Sequence, residues 1–323
     1  MRFIVANYGT RHAGMLLAHL HSVTRTHPSA AITVYWQDIP DEFVEAMRVV
    51  APNATFTRTA FDFAQDPLQR ISSKVLCWSR AAEEYESERE LVFCDSDTLV
   101  RRDLQSFFDA GDEDVVITTK PESVPLNSGV ILARGGIAAT AFFRAWREET
   151  LHILRTPKLF ARANNPAQPF GGPDQMSLYR LLSYQSGTSR YTLRCGEHDV
   201  RLRTEPCAKL NETNSRALAD EIHVVHYKAG WQRILLDGRP FSRFRPRSKS
   251  WQMLDFFLTT FSEALRRVNE ATGRRYTPAT FGIRWPWYYR AGQFNPPAYA
   301  AWRIKEAAKR GWLLVTGRLK PGT

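Results

Sequence analysis

Two carboxylates one residue apart, Asp95 and Asp97, follow directly on the apolar run Leu91-Val92-Phe93-Cys94. A run this short and apolar reads as a buried strand, and in open α/β sheets ligands bind in the crevice beyond the carboxyl ends of the strands. Both acids would stand there. At this spacing they can reach one divalent ion together, directly or through water, and leave positions open for phosphate oxygens. The plain alternative is an Asx-rich turn that closes a strand, since Asp and Ser bond their own backbone.

Other segments carry side chains suited to the same crevice. In Ile222-His223-Val224-Val225-His226-Tyr227-Lys228-Ala229-Gly230-Trp231, strand alternation sends His223 and His226 to opposite faces. His226, which ends the run beside Lys228, is the one expected in the site. An imidazole joining two carboxylates suits Mn²⁺, which is softer than Mg²⁺ but still oxygen-seeking. Asn127-Ser128-Gly129 reads as a turn before a strand, offering an amide and a hydroxyl suited to sugar hydroxyls, with the glycine allowing close backbone approach. Asp174, after Gly171-Gly172-Pro173, could cap a helix, although a cap does not account for Gln175 beside it. Ala6-Asn7-Tyr8 would end the first strand, where a base and ribose could rest.

The elements that must position these groups alternate as βα units over the first two hundred residues. Strands are expected at residues 2–6, 32–36, 114–118, 129–133 and 222–226, and helices at 13–26, 41–50, 72–88, 137–155 and 174–182. This order predicts an α/β fold with a largely parallel sheet flanked by helices. The 323 residues, 43% hydrophobic and 24% charged, have the composition of an ordinary globular protein. No run approaches the roughly 20 apolar residues that span a bilayer, and Arg2, Arg11 and His12 interrupt any signal-peptide core. A cytoplasmic protein is therefore expected, with Cys77, Cys94, Cys195 and Cys207 as free structural thiols.

Taken together and in this order, the motifs resemble the GT-A glycosyltransferases, most closely glycosyltransferase family 8 and related nucleotide-diphospho-sugar transferases. The resemblance runs over about residues 3–235, through Phe3-Ile4-Val5-Ala6-Asn7-Tyr8, Lys74, Phe93-Cys94-Asp95-Ser96-Asp97, Asn127-Ser128-Gly129-Val130, Pro173-Asp174-Gln175 and His226-Tyr227-Lys228-Ala229-Gly230-Trp231. It implies a GT-A nucleotide-sugar-binding fold and a metal-dependent, retaining hexosyltransferase using a UDP-sugar with Mn²⁺ or Mg²⁺. The implied metal ligands are Asp95, Asp97 and His226. Ala6, Asn7, Tyr8, Lys74, Asp95, Ser96, Asn127, Ser128 and Lys228 would bind the donor, and Asp174 and Gln175 would act at the sugar. The chain departs from the family pattern in two places: Asp174-Gln175-Met176 replaces Asp-Gln-Asp, and the spacing after His226 is compressed to His-x-Lys-x-Gly-Trp.

From Gly238 the composition turns basic and aromatic, which places a boundary near residue 240, between a transferase domain over 1–240 and a helical appendage over 241–323. Residues 271–323 hold ten Lys/Arg against the single acid Glu306, +9 of the net +11. Interleaved with Trp285, Trp287, Tyr288, Tyr289, Tyr299, Trp302 and Trp312, these cations suit an anionic membrane surface, and hence a peripheral position on the inner face of the cytoplasmic membrane. Packing on the catalytic domain and nucleic-acid binding are the alternatives, of which nucleic acid is not expected. The expected acceptor is a glycan or a lipid-linked sugar of surface-polysaccharide or lipopolysaccharide type. Two other functions compete: a sugar-phosphate nucleotidyltransferase, for which Asn7-Tyr8-Gly9-Thr10-Arg11 is a poor phosphate loop, and a non-catalytic binding module.

Overall fold

The computed structural model describes residues 1–60, 67–120, 125–165, 170–183, 189–213, 218–228, 230–238, 251–285, 289–290, 293–294, 301, 304–305 and 308. The chain opens with β1 (Arg2–Tyr8), α1 (Ala13–Thr26), β2 (Ala31–Gln37), α2 (Asp41–Val50) and β3 (Ala54–Arg58). A one-turn α3 (Pro67–Arg70) leads into α4 (Ser73–Glu84), β4 (Leu91–Asp95), β5 (Thr98–Val100) and α5 (Gln105–Asp109). Then come β6 (Val115–Thr119), β7 (Leu126–Ala133), α6 (Ile137–Arg155), α7 (Pro157–Ala163) and α8 (Pro173–Leu182). The hairpin β8 (Arg190–Cys195) and β9 (His198–Pro206) precedes α9 (Cys207–Leu210), β10 (Val224–His226), α10 (Gly230–Leu235) and α11 (Trp251–Thr272).

One sheet has the order β3-β2-β1-β4-β7-β6-β9-β8. Only β7 and β8 run against the other six strands, so the sheet is mostly parallel, as the βα alternation predicts. Its central strands β2, β1, β4, β7 and β6 are buried on both faces, and alternate residues feed two separate cores. Phe3 and Val5 of β1, with Val92 and Cys94 of β4, face α1, α2 and α11. Ile4 and Ala6, with Leu91 and Phe93, face α4, α6 and α8. A second ribbon pairs β10 antiparallel with β5 and sets His226 opposite Thr98.

Several expectations change. Asn127-Ser128-Gly129 is not a turn before a strand but part of β7, at an irregularity where the register with β6 jumps from Ile117↔Ile131 to Thr118↔Asn127. Such a bulge re-aims side chains while keeping the strand continuous. The hairpin β8–β9 is an addition to the expected elements, and α11 lies within the stretch expected to be helical. The core also continues past residue 240: Met253, Leu254, Phe257, Leu258, Phe261, Ala264, Leu265 and Val268 of α11 share the cluster of α1, together with Phe281 and Ile283. Trp285 also lies against this core, while residues 239–250, where the boundary is expected, fall outside the described residues. The basic aromatic sequence from 286 onward falls almost wholly outside the described residues. All four cysteines are buried free thiols, and no helix of the described residues is long and apolar enough to cross a membrane.

Candidate metal centre

Asp95 is the last residue of β4, and Thr98 closes the turn after it by donating its Oγ1–H to the Asp95 carbonyl at 2.8 Å. His19 of α1 braces this turn from beneath, its Nδ1 2.9 Å from the Thr98 carbonyl. Because the chain reverses between them, the two carboxylates enter different layers. Asp95 points toward α4, and Asp97 toward the β5–β10 ribbon and α10. His226 arrives through strand pairing, since its place opposite Thr98 puts Nε2 3.0 Å from Asp97 Oδ1 and 3.7 Å from Asp95 Oδ2. One ligand atom from each of Asp95, Asp97 and His226 lies within 4.8 Å of the others.

The surroundings hold these three side chains in place. Gln232 donates from Nε2 to Asp97 Oδ2 at 2.7 Å, and the Tyr227 N–H donates to the Asp97 carbonyl at 2.8 Å. The His226 ring lies flush against Gly129, where a Cβ would come within 2.4 Å of Cε1. Burial alone would raise the Asp97 carboxyl, but His226 beside it reverses the sign and holds it well below the usual carboxylate range. Asp95 shifts upward: burial raises it, and Lys74 and His226 only partly offset that. Two carboxylate oxygens and an imidazole nitrogen converging on one point form a donor set suited to Mn²⁺ or a similar divalent cation.

Asp95 belongs equally to a second cluster. Lys74 Nζ sits 2.8 and 3.1 Å from the two Asp95 oxygens, 3.0 Å from Asp174 Oδ2 and 3.2 Å from Ser128 Oγ. Burial works against the ammonium, yet the two carboxylates outweigh it and raise its pKa. Lys74 is therefore no solvated helix-face residue. Asp174 does not cap α8 with its side chain, because Gly172, at φ 137°, is the N-cap and Oδ2 is taken by Lys74 and Ser128. The main chain at Asp174 is anchored by Trp146, whose Nε1–H donates to its carbonyl at 2.9 Å. Among the described residues, Asp174 Oδ1 and Asn127 Nδ2 find no hydrogen-bond partner, although both are buried. Gln175 is nine-tenths buried on the same helix turn.

At the end of β1, Ala6 pairs with Asp95 across the β1–β4 ladder, so of the three positions expected there this one borders a carboxylate. Asn7 donates to the Gly9 carbonyl at 3.2 Å, and the Tyr8 hydroxyl lies 3.0 Å from Cys77 Sγ. Ser96 is half-buried at the turn between the two acids. His223 is turned away, its Nδ1 2.6 Å from the Asp103 carbonyl. Lys228 is pulled below the ordinary ammonium range by burial first and by neighbouring Lys120 second. Two residues at the site have no sequence signal: Lys120, in the loop after β6, and Asn211, which follows α9 and contacts His226.

No protein-family model matches the chain, and no curated protein does. Among solved structures it is similar to the glycosyltransferase GlyE of Streptococcus pneumoniae TIGR4, at 13% identity and a TM-score of 0.49 over 85% of this chain and 65% of that one. It is also similar to the galactosyltransferase LgtC, solved with donor and acceptor sugar analogues, at 15% identity and a TM-score of 0.45 over 80% and 96% of the two chains. The bifunctional glycosyltransferase WbbM aligns at 12% identity and a TM-score of 0.48 over 83% and 51%. The chain thus spans less than two thirds of the length of GlyE and about half that of WbbM.

Proposed function

We propose that the chain is a metal-dependent GT-A glycosyltransferase that takes a sugar from a nucleotide-diphosphate donor, with UDP as the nucleotide and Mn²⁺ or Mg²⁺ as the ion. The observation that carries this reading is the convergence of Asp95, Asp97 and His226 beyond the ends of β1 and β4, beside a second cluster of buried polar groups. A divalent cation held there supplies Lewis-acid stabilisation of the negative charge that the leaving diphosphate gains.

The chain's own residues would do the remaining work. Burial first and neighbouring Lys120 second disfavour the charged form of Lys228, so an anion bound against Lys228 relieves the cost. That favours a diphosphate. Asp174 Oδ1 and Asn127 Nδ2, buried acceptor and donor without partners, suit sugar hydroxyls, because each makes a bond that the protein leaves unmade. Lys74 fixes Asp95 and Asp174 at one separation and so sets the distance between the ion and the sugar subsite. Among the described residues we assign no carboxylate as covalent nucleophile. Departure and attack on one face of the sugar, with Gln175 against it as positive charge develops, is the proposed course if configuration is retained.

The acceptor is proposed to be a glycan or a lipid-linked sugar, the second resting on the cations and rings of residues 284–323. The test is a hydrolysis screen of UDP, GDP and dTDP sugars with and without Mn²⁺, since transfer to water needs no known acceptor. Metal-dependent release of sugar from one donor supports the reading. Metal-dependent UDP binding without release from any donor points to the binding module, and pyrophosphate-coupled formation of a nucleotide sugar points to a nucleotidyltransferase.

A further inference from the structure

The side chain of Asn211 is completely buried and sits at the end of a directional chain of hydrogen bonds. The Thr118 hydroxyl donates to the Asn127 carbonyl at 2.8 Å, which uses its only proton. Its lone pair must then accept from Asn211, whose Nδ2 lies 3.0 Å away. With the NH₂ group turned to Thr118, the Asn211 oxygen faces His226 Nδ1 at 2.9 Å. An amide oxygen only accepts, so Nδ1 carries a hydrogen. In the neutral form, the one that can ligate, an imidazole has a single N–H, and with that hydrogen held at Nδ1 the lone pair is on Nε2, the atom that faces Asp97 and Asp95.

We propose that Asn211 is a positioning residue that presents the Nε2 lone pair of His226 to the two carboxylates. The assignment rests on the metal-dependent reading above. Left to itself, the ring could turn or put its hydrogen on Nε2, where Asp97 would accept it and no ligand atom would remain. Asn211 opposes this from the far side of the ring, and the absence of a Cβ at Gly129 lets the ring lie in the required plane. The bulge in β7 contributes as well, because it sets the Asn127 carbonyl that orients Thr118. Groups behind a ligating histidine of this kind change metal affinity by about 10- to 100-fold when removed.

The test is a cycle of Mn²⁺ affinities, followed by the electron paramagnetic resonance of free Mn²⁺, on wild type, Asn211→Leu, His226→Ala and the double variant. Asn211→Leu is expected to weaken binding about 10- to 100-fold in the wild-type background and to have no further effect once His226 is gone. Asn211→Asp, which keeps an oxygen opposite Nδ1, is expected to weaken binding less than Asn211→Leu. Should Asn211→Leu fail to fold in thermal unfolding, Asn211→Ala takes its place in the cycle. Equal affinity in wild type and Asn211→Leu, or an undiminished loss in the His226→Ala background, overturns the positioning role and leaves the metal reading standing. A wild type that binds no Mn²⁺ overturns both.

Discussion

Asp95 and Asp97 are one residue apart in sequence and live in opposite electrostatic settings. Asp95 enters the layer of α4 and α8, where the permanent cation Lys74 sits between it and Asp174. Asp97 enters the layer of α10 and the β5–β10 ribbon, where its partners are an imidazole and an amide. A lysine compensates charge but cannot ligate as an ammonium, whereas an imidazole can give up its proton and ligate. The contrast divides the work. On the proposed function, Asp95 is tied to the framework and shared with the sugar side, and Asp97 with His226 forms the part of the site that depends most on a bound cation.

The sharpest way to break this division is to remove the Asp97 side. Asp97→Ala and His226→Ala are each expected to lower metal-dependent donor hydrolysis on the order of a thousandfold, through loss of a ligand that stabilises leaving-group charge, with thermal unfolding of the metal-free proteins measuring any separate loss of stability. Full Mn²⁺-dependent activity in Asp97→Ala would remove the metal from the mechanism.

The Asp95 side should answer in stability first. Lys74→Met leaves Asp95 and Asp174 buried and facing each other without a cation, and breaking a buried pair this way costs about 3 to 5 kcal/mol. Urea unfolding measures it. A loss under about 1 kcal/mol, as exposed ion pairs give, would show that water reaches the cluster and that Lys74 is no framework residue.

A smaller effect tests the support beneath both acids. Burial lowers His19 from 6.5 to about 4. Between those values the unfolded chain binds a proton that the folded chain refuses, so stability falls as pH drops through this window, by roughly 3 kcal/mol in all. His19→Asn, which keeps a donor toward the Thr98 carbonyl, is expected to flatten the pH dependence of the urea midpoint between pH values of about 6.5 and 4 even if it lowers stability at neutral pH. An unchanged slope would assign the effect to the other histidines lowered by burial, His12, His21 and His27.

Much of the frame is legible in the sequence because its signals are local. The helices at Ala13–Thr26, Asp41–Val50 and Ile137–Arg155 end where their apolar periodicity ends, and the strand before Asp95 is a plain apolar run. Edge strand β8 is harder to read, since its exposed and half-buried residues alternate amid arginines and only Cys195 is buried. Helix α11 does carry a readable stripe, Met253, Leu254, Phe257, Leu258, Phe261 and Ala264, but the change in composition near residue 240 masks it as the start of something separate. The site is legible only where one element suffices. Asp95 and Asp97 announce themselves, whereas Asn211 is one of a run of polar residues, Asn211-Glu212-Thr213-Asn214-Ser215-Arg216, and its place beside His226 depends on a register between β5 and β10 that no local pattern encodes. Lys74 could be placed on a helix but not assigned its two acids, because that requires knowing which face of β4 Asp95 occupies.

The empty space at Gly129 has a consequence for how this sequence can vary. Any larger residue there must displace the ring of His226, since even a methyl group would sit within 2.4 Å of it. Positions 129 and 226 are thus bound by a one-way rule: the first can grow only after the second has shrunk. Among related chains, an alanine or serine at 129 should appear only where the histidine has already been replaced, so this pair of columns in an alignment would separate chains that kept the imidazole ligand from those that gave it up.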